Sequence, residues 1–500
     1  IGYQSLKALT SGANNVAIGE NAGLLMTTNN ACVAIGFGAL QAADGGDDYN
    51  IAIGYNAGYG INHDGSHDNV IIGSEAGTGG SAAAFSSNIA IGTSVLQDTG
   101  TNASTGQIGI GFRALKELTS GTQNLAIGYQ AMKVHTTGSD NLAIGYEAMD
   151  DTDAGSTSLG SQRNIFIGSH CGGGTWTDAD SSYNTAIGVF AMDSALAGSV
   201  QNVAIGYYAL SSVTTSDANV AVGANAGYGI TTGASNTAVG ASSMYVHSTG
   251  GKNTCLGYGT MMDTNAGSNS LGSDNNVFIG YASGGGTWTD AASEGNVAIG
   301  NNTMDSALAG VQQSVAIGHI ALSGVTSGDY NVAVGSYAGA AITTGSSNIA
   351  IGLEAMKAHT TANRNTCIGY KTMYAGTGDS LGSYDNVFIG YQAASGSWSG
   401  DDSNNNVGIG YEAMAGAMQG STNNVAVGYE ALHDITTGGD NVAIGFRAGD
   451  TLTSADYNTL IGTGAGGALT DGGHNVMIGY NAGNLADTAT ASAEYNVYVG

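Results

Sequence analysis

The fold is decided by a five-residue pattern that reads Asn202-Val203-Ala204-Ile205-Gly206 and continues as Tyr207-Tyr208-Ala209-Leu210. The pattern recurs in 27 copies, of which 24 begin with asparagine, and its last copy ends the sequence at Gly500. Successive motif glycines usually keep one constant spacing, and this spacing widens only where the loops lengthen. One motif and one return segment therefore make one rung of a repeat, with a period of about 17 residues.

A second period lies above the rung. After Gly168 the spacing between successive motif glycines is long once, shorter four times, and longest in the rung that ends at Gly280. Nearly the same series of spacings leads from Gly280 to Gly390 and from Gly390 to Gly500. Six rungs thus form a super-repeat of about 110 residues. We therefore expect one continuous solenoid over residues 1–500, with super-repeats at approximately 55–168, 169–280, 281–390 and 391–500.

Alternation within the motif predicts a β-strand. Val16 and Ile18 lie on one face of an extended chain, and Asn15, Ala17 and Gly19 lie on the other. The segment after the glycine is predicted to be a second short strand, joined by turns rich in Gly, Asn, Asp and Ser. One rung has too few apolar side chains to be stable alone, so neighbouring rungs must stabilise it. The chain is predicted to be all-β, a parallel β-solenoid (β-roll) whose equivalent strands pair about 4.8 Å apart.

Asparagines at one position of successive rungs are expected to stack as a ladder, each side-chain amide bonding the next. The predicted ladder includes Asn202, Asn219, Asn236 and Asn253. Proline would remove a bond between rungs wherever it stood, and the sequence contains none.

The three middle positions of the motif carry no charged residue in any of the 27 copies. Both faces of the strand are therefore expected to avoid water, as in strands that are covered on both sides. One face can line the interior of the solenoid, and the other needs either the return strand or another chain. In four rungs the alanine position holds a large aromatic residue instead, so these rungs must have more space there: Phe166, Phe278, Phe388 and Tyr498. We expect parallel copies of the chain around a common axis.

Composition excludes several classes of function. The 500 residues contain 84 Gly, only 10 Lys and Arg, and a formal charge of −28, so nucleic acid and acidic membrane surfaces would be repelled. No apolar run approaches the roughly 20 residues that span a bilayer, so no membrane contact is predicted in this segment. Ile1 falls inside a repeat, and the sequence is expected to be a window on a longer filament.

The motif followed by Tyr-x-Ala, as in residues 202–209 and 424–431, resembles the head repeats of YadA-like trimeric autotransporter adhesins. It is also similar to the Gly-Tyr-x-Ala-Leu repeats of phage tail fibres and bacterial surface fibre proteins. The resemblance covers essentially the whole chain. It implies a left-handed parallel β-roll that assembles as a homotrimer outside the cell, on a cell surface or virion appendage, and serves in attachment. The longer rung and the six-rung super-repeat depart from the adhesin pattern.

Cysteines and histidines are sparse. Cys255 and Cys367 replace the alanine of the motif, which favours buried small side chains over a disulfide. His135, His247 and His359 recur at the same place in three successive super-repeats. They are expected to be solvated loop residues, and no metal site or cofactor is predicted.

A tryptophan loop recurs in the long rungs that begin the later super-repeats, just after the phenylalanine-bearing motif. Its residues include Trp176 with Asp178, Trp288 with Asp290, and a degenerate copy at Trp398. An exposed indole beside aspartate and threonine is a candidate contact for a glycan or a protein partner. Alternatively, the indole folds back over the enlarged phenylalanine rung or locks neighbouring chains.

The pattern as a whole favours a structural and adhesive extracellular fibre, a stiff filament that presents loops for attachment. The alternatives are a solenoid that binds a lattice such as ice or a polysaccharide, and the receptor-binding shaft of a phage tail fibre. No enzyme is predicted, because no carboxylate or basic cluster recurs on adjacent rungs. Ser380 matches a hydrolase nucleophile elbow only formally, since that motif needs a following helix.

Overall fold

A computed structural model of the chain describes residues 1–79, 83–99, 103–152, 160–177, 179–263, 272–289, 291–376, 382–398, 401–484 and 494–500. The chain forms two compact units, Ile1–Thr249 and Gly250–Gly500. Each unit is a parallel β-solenoid whose described part contains strands and turns and no α-helix. The predicted fold class is therefore confirmed.

The first unit contains β1 to β15, which span Val16–Ile18, Val33–Ile35, Ile51–Ile53, Val70–Ile72, Phe85–Ser86, Ile89–Ile91, Ser104–Thr105, Ile108–Ile110, Leu125–Ile127, Leu142–Ile144, Ile165–Ile167, Thr185–Ile187, Val203–Ile205, Val220–Val222 and Thr237–Val239. The second unit contains β16 to β31, which span Thr254–Leu256, Val277–Ile279, Val297–Ile299, Val315–Ile317, Val332–Val334, Ile349–Ile351, Thr366–Ile368, Ala375–Gly376, Val387–Ile389, Ser397–Trp398, Val407–Ile409, Val425–Val427, Val442–Ile444, Thr459–Ile461, Val476–Ile478 and Val497–Val499.

The motif strands pair in parallel with identical positions opposite each other. Ala204 of β13 faces Ala186 of β12 on one side and Ala221 of β14 on the other. The same register holds in the second unit, where Ala316 faces Ala298 and Ala333. Each rung therefore repeats the environment of its neighbours, which is the arrangement that the period of the motif predicts.

The return segment is not a strand, so this part of the sequence prediction is wrong. Residues 207–210 form turns instead, with φ of 54° at Tyr208 and 49° at Leu210. Hydrogen bonds between rungs nevertheless continue through the turns, since the Leu210 amide donates to the Ala226 carbonyl at 3.1 Å. The left-handed residues fold the backbone inward so that Ala209 and Leu210 are fully buried.

The core is formed by one side of each motif strand and by the turn that follows. The middle residue of the strand points inward, so Ala204 and Phe166 have no exposed surface. The motif glycine is required by close stacking: Gly206 has φ +139°, and a Cβ added there would lie 2.4 Å from the Gly223 carbonyl oxygen. Any side chain at this position would push two rungs apart.

The asparagine ladder is present as predicted within each unit. In the first unit the side-chain Nδ2 of Asn219 donates to the Asn202 Oδ1 at 3.2 Å, and the backbone N–H groups of Asn219 and Asn236 donate to the Oδ1 atoms of Asn202 and Asn219 at 2.9 Å. In the second unit the Asn253 Oδ1 accepts from the Asn276 Nδ2 at 3.1 Å and from the Asn276 backbone N–H at 3.0 Å. These asparagines are buried, so the ladder satisfies polar groups that water cannot reach.

Candidate interaction face

The first and third residues of each motif strand point outward and form an aliphatic surface, which we call the strand face. Ile205 in the first unit and Ile317 in the second are each 38 % exposed, whereas the alanine between the aliphatic residues is buried. The sequence left open which side of the strand lines the interior. The structure places the alanine side there and leaves the valines and isoleucines on the surface of the single chain.

A second apolar surface adjoins the strand face. The residue after the motif glycine is often aromatic, and these side chains form what we call the aromatic column. In the first unit the ring centroids of Phe112 and Tyr129 are 5.2 Å apart, and those of Tyr129 and Tyr146 are 5.1 Å apart. Each column residue comes directly after the motif glycine in the sequence. The aromatic column therefore continues the strand face beyond that glycine.

The second unit contains a longer run of the aromatic column. Neighbouring centroids are 4.9 to 5.2 Å apart and neighbouring planes differ by 4° to 22° along the stack of Tyr370, Tyr391, Tyr411, Tyr429 and Phe446. Sequence analysis missed the column, although its signal is present in the sequence. An aromatic residue at a fixed position of the rung must meet its equivalent on the next rung.

Charged side chains beside the column form ion pairs both within a rung and between neighbouring rungs. Arg447 binds Glu430 of the preceding rung, with Nη2 to Oε2 at 2.6 Å, and its guanidinium lies 5.6 Å from the centroid of the Phe446 ring. Lys357 and Lys371 both approach Glu354, at 2.6 and 3.4 Å. The Lys357 ammonium, together with that of Lys371, holds the pKa of the Glu354 carboxyl below its usual value. The column is thus bordered by charged side chains that pair with side chains of opposite charge.

The tryptophans are not on the surface, so the prediction that they are exposed contacts is wrong. Trp176, Trp288 and Trp398 have no exposed area. Each indole packs edge-on against the phenylalanine of its own rung, as at Phe278, where the centroids are 5.6 Å apart and the planes differ by 62°. Each indole N–H donates to a nearby backbone carbonyl, and the Trp288 N–H reaches the Gly284 oxygen at 3.0 Å. The alternative interpretation, an indole folded over the phenylalanine rung, describes the structure.

A small residue lets the loop pass over the phenylalanine. A Cβ at Gly172 would lie 2.6 Å from the Phe166 ring, so glycine fits with the least adjustment, and the third copy has Ala394 at the equivalent position. The proposed partner residues Asp178 and Asp290 lie outside the described residues, as does Ser380. Thr175 beside Trp176 donates to the Asp151 carboxylate at 2.6 Å, which fixes the loop to the preceding rung.

The recurring histidines are buried, and the prediction of solvated loop residues is wrong for all three. His135, His247 and His359 are at most 1 % exposed. His135 Nδ1 lies 2.8 Å from the Thr152 hydroxyl, one rung further along. Burial lowers the pKa of His135 and of His359 to about 4, because the charged ring would lose its hydration.

The cysteines occupy buried positions, as predicted for Cys255 and Cys367. None of the four cysteines forms a disulfide in the described structure. Burial raises the pKa of Cys32 to about 11 and that of Cys171 to about 12. These thiols therefore act as small apolar side chains within the rungs.

A comparison with protein-family models found no matching family, and a comparison with curated proteins found no relative. The described residues contain no helix that is long and apolar enough to cross a membrane. Function must therefore be inferred from the surfaces themselves.

Proposed function

We propose that this chain is a segment of a structural and adhesive extracellular fibre, which self-associates through the strand face. The observation that carries the proposal is the exposure of an aliphatic side chain on rung after rung beside a column of aromatic rings. The parallel β-solenoid itself is compatible with a fibre or shaft. Its stiffness follows from backbone hydrogen bonds that join neighbouring rungs at both strands and turns.

The size of the exposed surface supports a protein partner. In the second unit, the aromatic-column side chains of five rungs are 39 to 54 % exposed: Tyr258, Tyr281, Tyr391, Tyr411 and Tyr429. A half-exposed aromatic side chain presents roughly 100 Å². These five contribute roughly 500 of the roughly 800 Å² per partner of a standard interface, and the aliphatic side chains of the strand face add to this area. Apolar patches of this extent mark interaction sites.

The regularity of the strand face favours a second copy of the same chain as its occupant. An irregular globular partner would match only a few rungs, whereas a second solenoid has the same strand spacing along its whole length. The face is also free of charge at every motif copy, although the chain carries a formal charge of −28. Copies that met elsewhere would repel each other, so the strand face offers the approach with the least repulsion.

The resemblance to YadA-like head repeats supports the finer assignment. It favours a homotrimer around a common axis, displayed outside the cell or on a virion, with loops available to a host or surface glycan or protein. A lattice-binding role gains less support, because the outward strand positions are mainly valine and isoleucine rather than regularly spaced threonine. No enzyme activity, cofactor or nucleic-acid partner is proposed.

Light scattering and electron microscopy of the purified chain test the self-association. We expect rods and a mass of several chains, three for a trimer. The double variant Ile205→Lys and Ile317→Lys places like charges on the strand face of each unit. It should return the mass of one chain while the circular dichroism spectrum is retained, because both side chains point outward.

Thr215→Lys is the matched control, because Thr215 is exposed and lies in a turn rather than in a motif strand. This variant should assemble like the unmodified chain. A single-chain mass for the unmodified protein at all concentrations would refute the self-association. Equal assembly of the double variant and the control would remove the strand face as its site.

A further inference from the structure

The aromatic column of the second unit is interrupted once between Tyr370 and Tyr480. At this point Thr463 replaces the ring, so Phe446 and Tyr480 stand on either side of a rung that has only a small side chain. Backbone hydrogen bonds hold the three rungs in register: the Gly464 amide donates to the Phe446 carbonyl and the Asn481 amide donates to the Thr463 carbonyl, both at 2.8 Å. The missing ring leaves a cavity of about 300 Å³.

The width of this slot suits a ring-shaped ligand. Phe446 and Tyr480 are two rungs apart, which corresponds to about 10 Å from two strand spacings of about 4.8 Å. A ring placed midway would lie about 5 Å from each aromatic centroid, within the range of favourable ring contacts. In other rungs of the stack a tyrosine occupies the position that Thr463 has here. The ring centroid of Tyr411, for example, lies 4.9 Å from that of Tyr429.

Glycines keep the slot open. A Cβ on Gly464 would lie 2.4 Å from the Asn481 Oδ1, and a Cβ on Gly467 would lie 3.3 Å from the Asp450 Oδ1. Both glycines line the cavity. Larger residues would therefore fill the space or displace the polar side chains beside it.

The remaining lining is polar and can both donate and accept hydrogen bonds. Asp450 contributes a carboxylate, and burial raises its pKa. Asn481 and Asn484 contribute amides. Arg447 uses Nε and Nη2 on Glu430, which leaves further N–H donors of its guanidinium. Two aromatic walls and a polar rim of mixed donors and acceptors form one site within a single chain.

We propose that this slot binds a sugar ring, a pyranose unit of a surface glycan, between Phe446 and Tyr480. A pyranose presents C–H groups to the two aromatic faces and hydroxyl groups around its edge, where Asp450 and the two asparagines lie. A plain aromatic ligand would fill the gap but would offer no hydrogen-bond partner to the Asp450 carboxylate and the two asparagine amides. The proposal deepens the adhesive part of the proposed function and rests on it for its biological role, but the slot itself does not require self-association.

Isothermal titration calorimetry with the methyl glycosides of glucose, galactose, mannose and N-acetylglucosamine tests the proposal. We expect saturable binding of at least one glycoside with Kd in the range of about 1 mM or below, the range for a single small ring. Thr463→Tyr should weaken binding at least tenfold, because it continues the ring stack through the slot. Tyr480→Ala should weaken it similarly by removing one wall.

Ser336→Tyr is the matched control: it adds a tyrosine at the equivalent position of another rung of the second unit and should leave binding unchanged. Thermal denaturation should show that Thr463→Tyr remains folded. Absence of binding to all four glycosides, or equal binding by Thr463→Tyr, would overturn the proposal.

Light scattering on the same samples separates this proposal from the self-association. A chain that binds sugar as a monomer would support the slot and refute the assembly. A chain that assembles without binding any glycoside would support the assembly and refute the slot.

Discussion

Replacing Asn219 by alanine removes one step of the asparagine ladder. The Asn219 Oδ1 accepts from the backbone N–H of Asn236 at 2.9 Å, and the Asn219 Nδ2 donates to the Gly233 carbonyl at 2.9 Å, the Ser216 hydroxyl at 3.0 Å and the Asn202 Oδ1 at 3.2 Å. Asn219 and Asn236 are at most 1 % exposed, so water cannot replace these bonds without opening the rung. We expect the variant to destabilise the rungs on both sides of position 219.

The magnitude follows from the groups that lose their partner. A buried donor or acceptor without a partner costs about 1–3 kcal/mol, so the Asn236 N–H and the Gly233 carbonyl, at about 1.5 kcal/mol each, together cost about 3 kcal/mol. This corresponds to a roughly 100-fold increase in local opening, at about 1.4 kcal/mol per factor of ten. The effect should remain local, because the stability of a repeat protein is approximately a sum over neighbouring rungs.

Hydrogen exchange measured by mass spectrometry on peptides from residues 203–239 is the assay. Protection should fall most in the rungs that contain Asn219 and Asn236, while distant rungs of the same unit keep theirs. Thr215→Ala, in an exposed turn, is the control and should change protection little. If Asn219→Ala and Thr215→Ala gave the same exchange, the ladder would not contribute to stability and the reasoning would be refuted.

The chain contains a natural test of partial replacement. Ser314 stands at a ladder position, where its hydroxyl accepts from the Asn331 amide at 3.1 Å and its own amide donates to the Asn296 Oδ1 at 2.9 Å. Asn219→Ser should therefore retain the acceptor and lose the donor. We expect about half the destabilisation of the alanine variant, and an equal loss in both variants would show that only the amide donor matters.

Three further predictions concern His135, Trp288 and Gly206. His135 is neutral when folded, with a pKa of about 4, and would have a pKa near 6.5 when unfolded, so only the unfolded chain binds a proton between these values. Stability should fall as the pH is lowered from about 6.5 to 4, by about 3 kcal/mol at about 1.36 kcal/mol per pKa unit. Carboxyls such as Asp47, whose pKa burial raises to about 7, act in the opposite direction. Urea unfolding should therefore compare the free energy of unfolding of the unmodified chain with that of His135→Asn at each pH. The prediction is contradicted if the difference between these two free energies does not vary with pH. Trp288→Ala should cost about 3–5 kcal/mol through the cavity it leaves, and iodide should quench tryptophan fluorescence in the unmodified chain far less than in the urea-unfolded chain. Gly206→Ala should lower the melting temperature much more than Gly259→Ala, because a Cβ would meet a carbonyl oxygen at 2.4 Å in the first case and only the Met262 sulfur at 3.7 Å in the second.

Sequence reasoning predicted the strand, its register and its ladder because these depend on short-range alternation and on an exact repeat. A residue at one position of a rung must meet its equivalent on the next rung, as Asn202 meets Asn219. The burial of Cys255 and Cys367 follows for the same reason, since both stand where other rungs have a buried alanine.

The return segment could not be predicted in the same way. Leu210 and Met132 adopt φ of 49° and 51°, a region that bulky residues rarely occupy. Local preference therefore favours an extended chain there. Burial of the side chain and a hydrogen bond to the next rung together offset the backbone strain. Neither stabilising contribution can be seen in the sequence of a single rung.

The tryptophan and histidine positions show how burial can be misjudged from sequence. Glycine-rich loops are usually exposed, but Trp176 packs against Phe166 with no exposed surface, and its indole N–H donates to the Gly172 carbonyl. His135 lies in a polar segment, yet its partner Thr152 stands one full rung further along the chain. Comparing each polar residue with the residue one rung away would have revealed this pair.

Identical rungs explain stability, but they cannot by themselves explain recognition. A perfectly regular solenoid presents the same surface at every height, so a ligand would have no preferred position along it. Departures from the repeat create distinct places: the phenylalanine rungs enlarge the core, and Thr463 opens the aromatic column between Phe446 and Tyr480. The regular face therefore suits a partner with the same repeat, whereas the interruption suits a ligand the size of one missing ring.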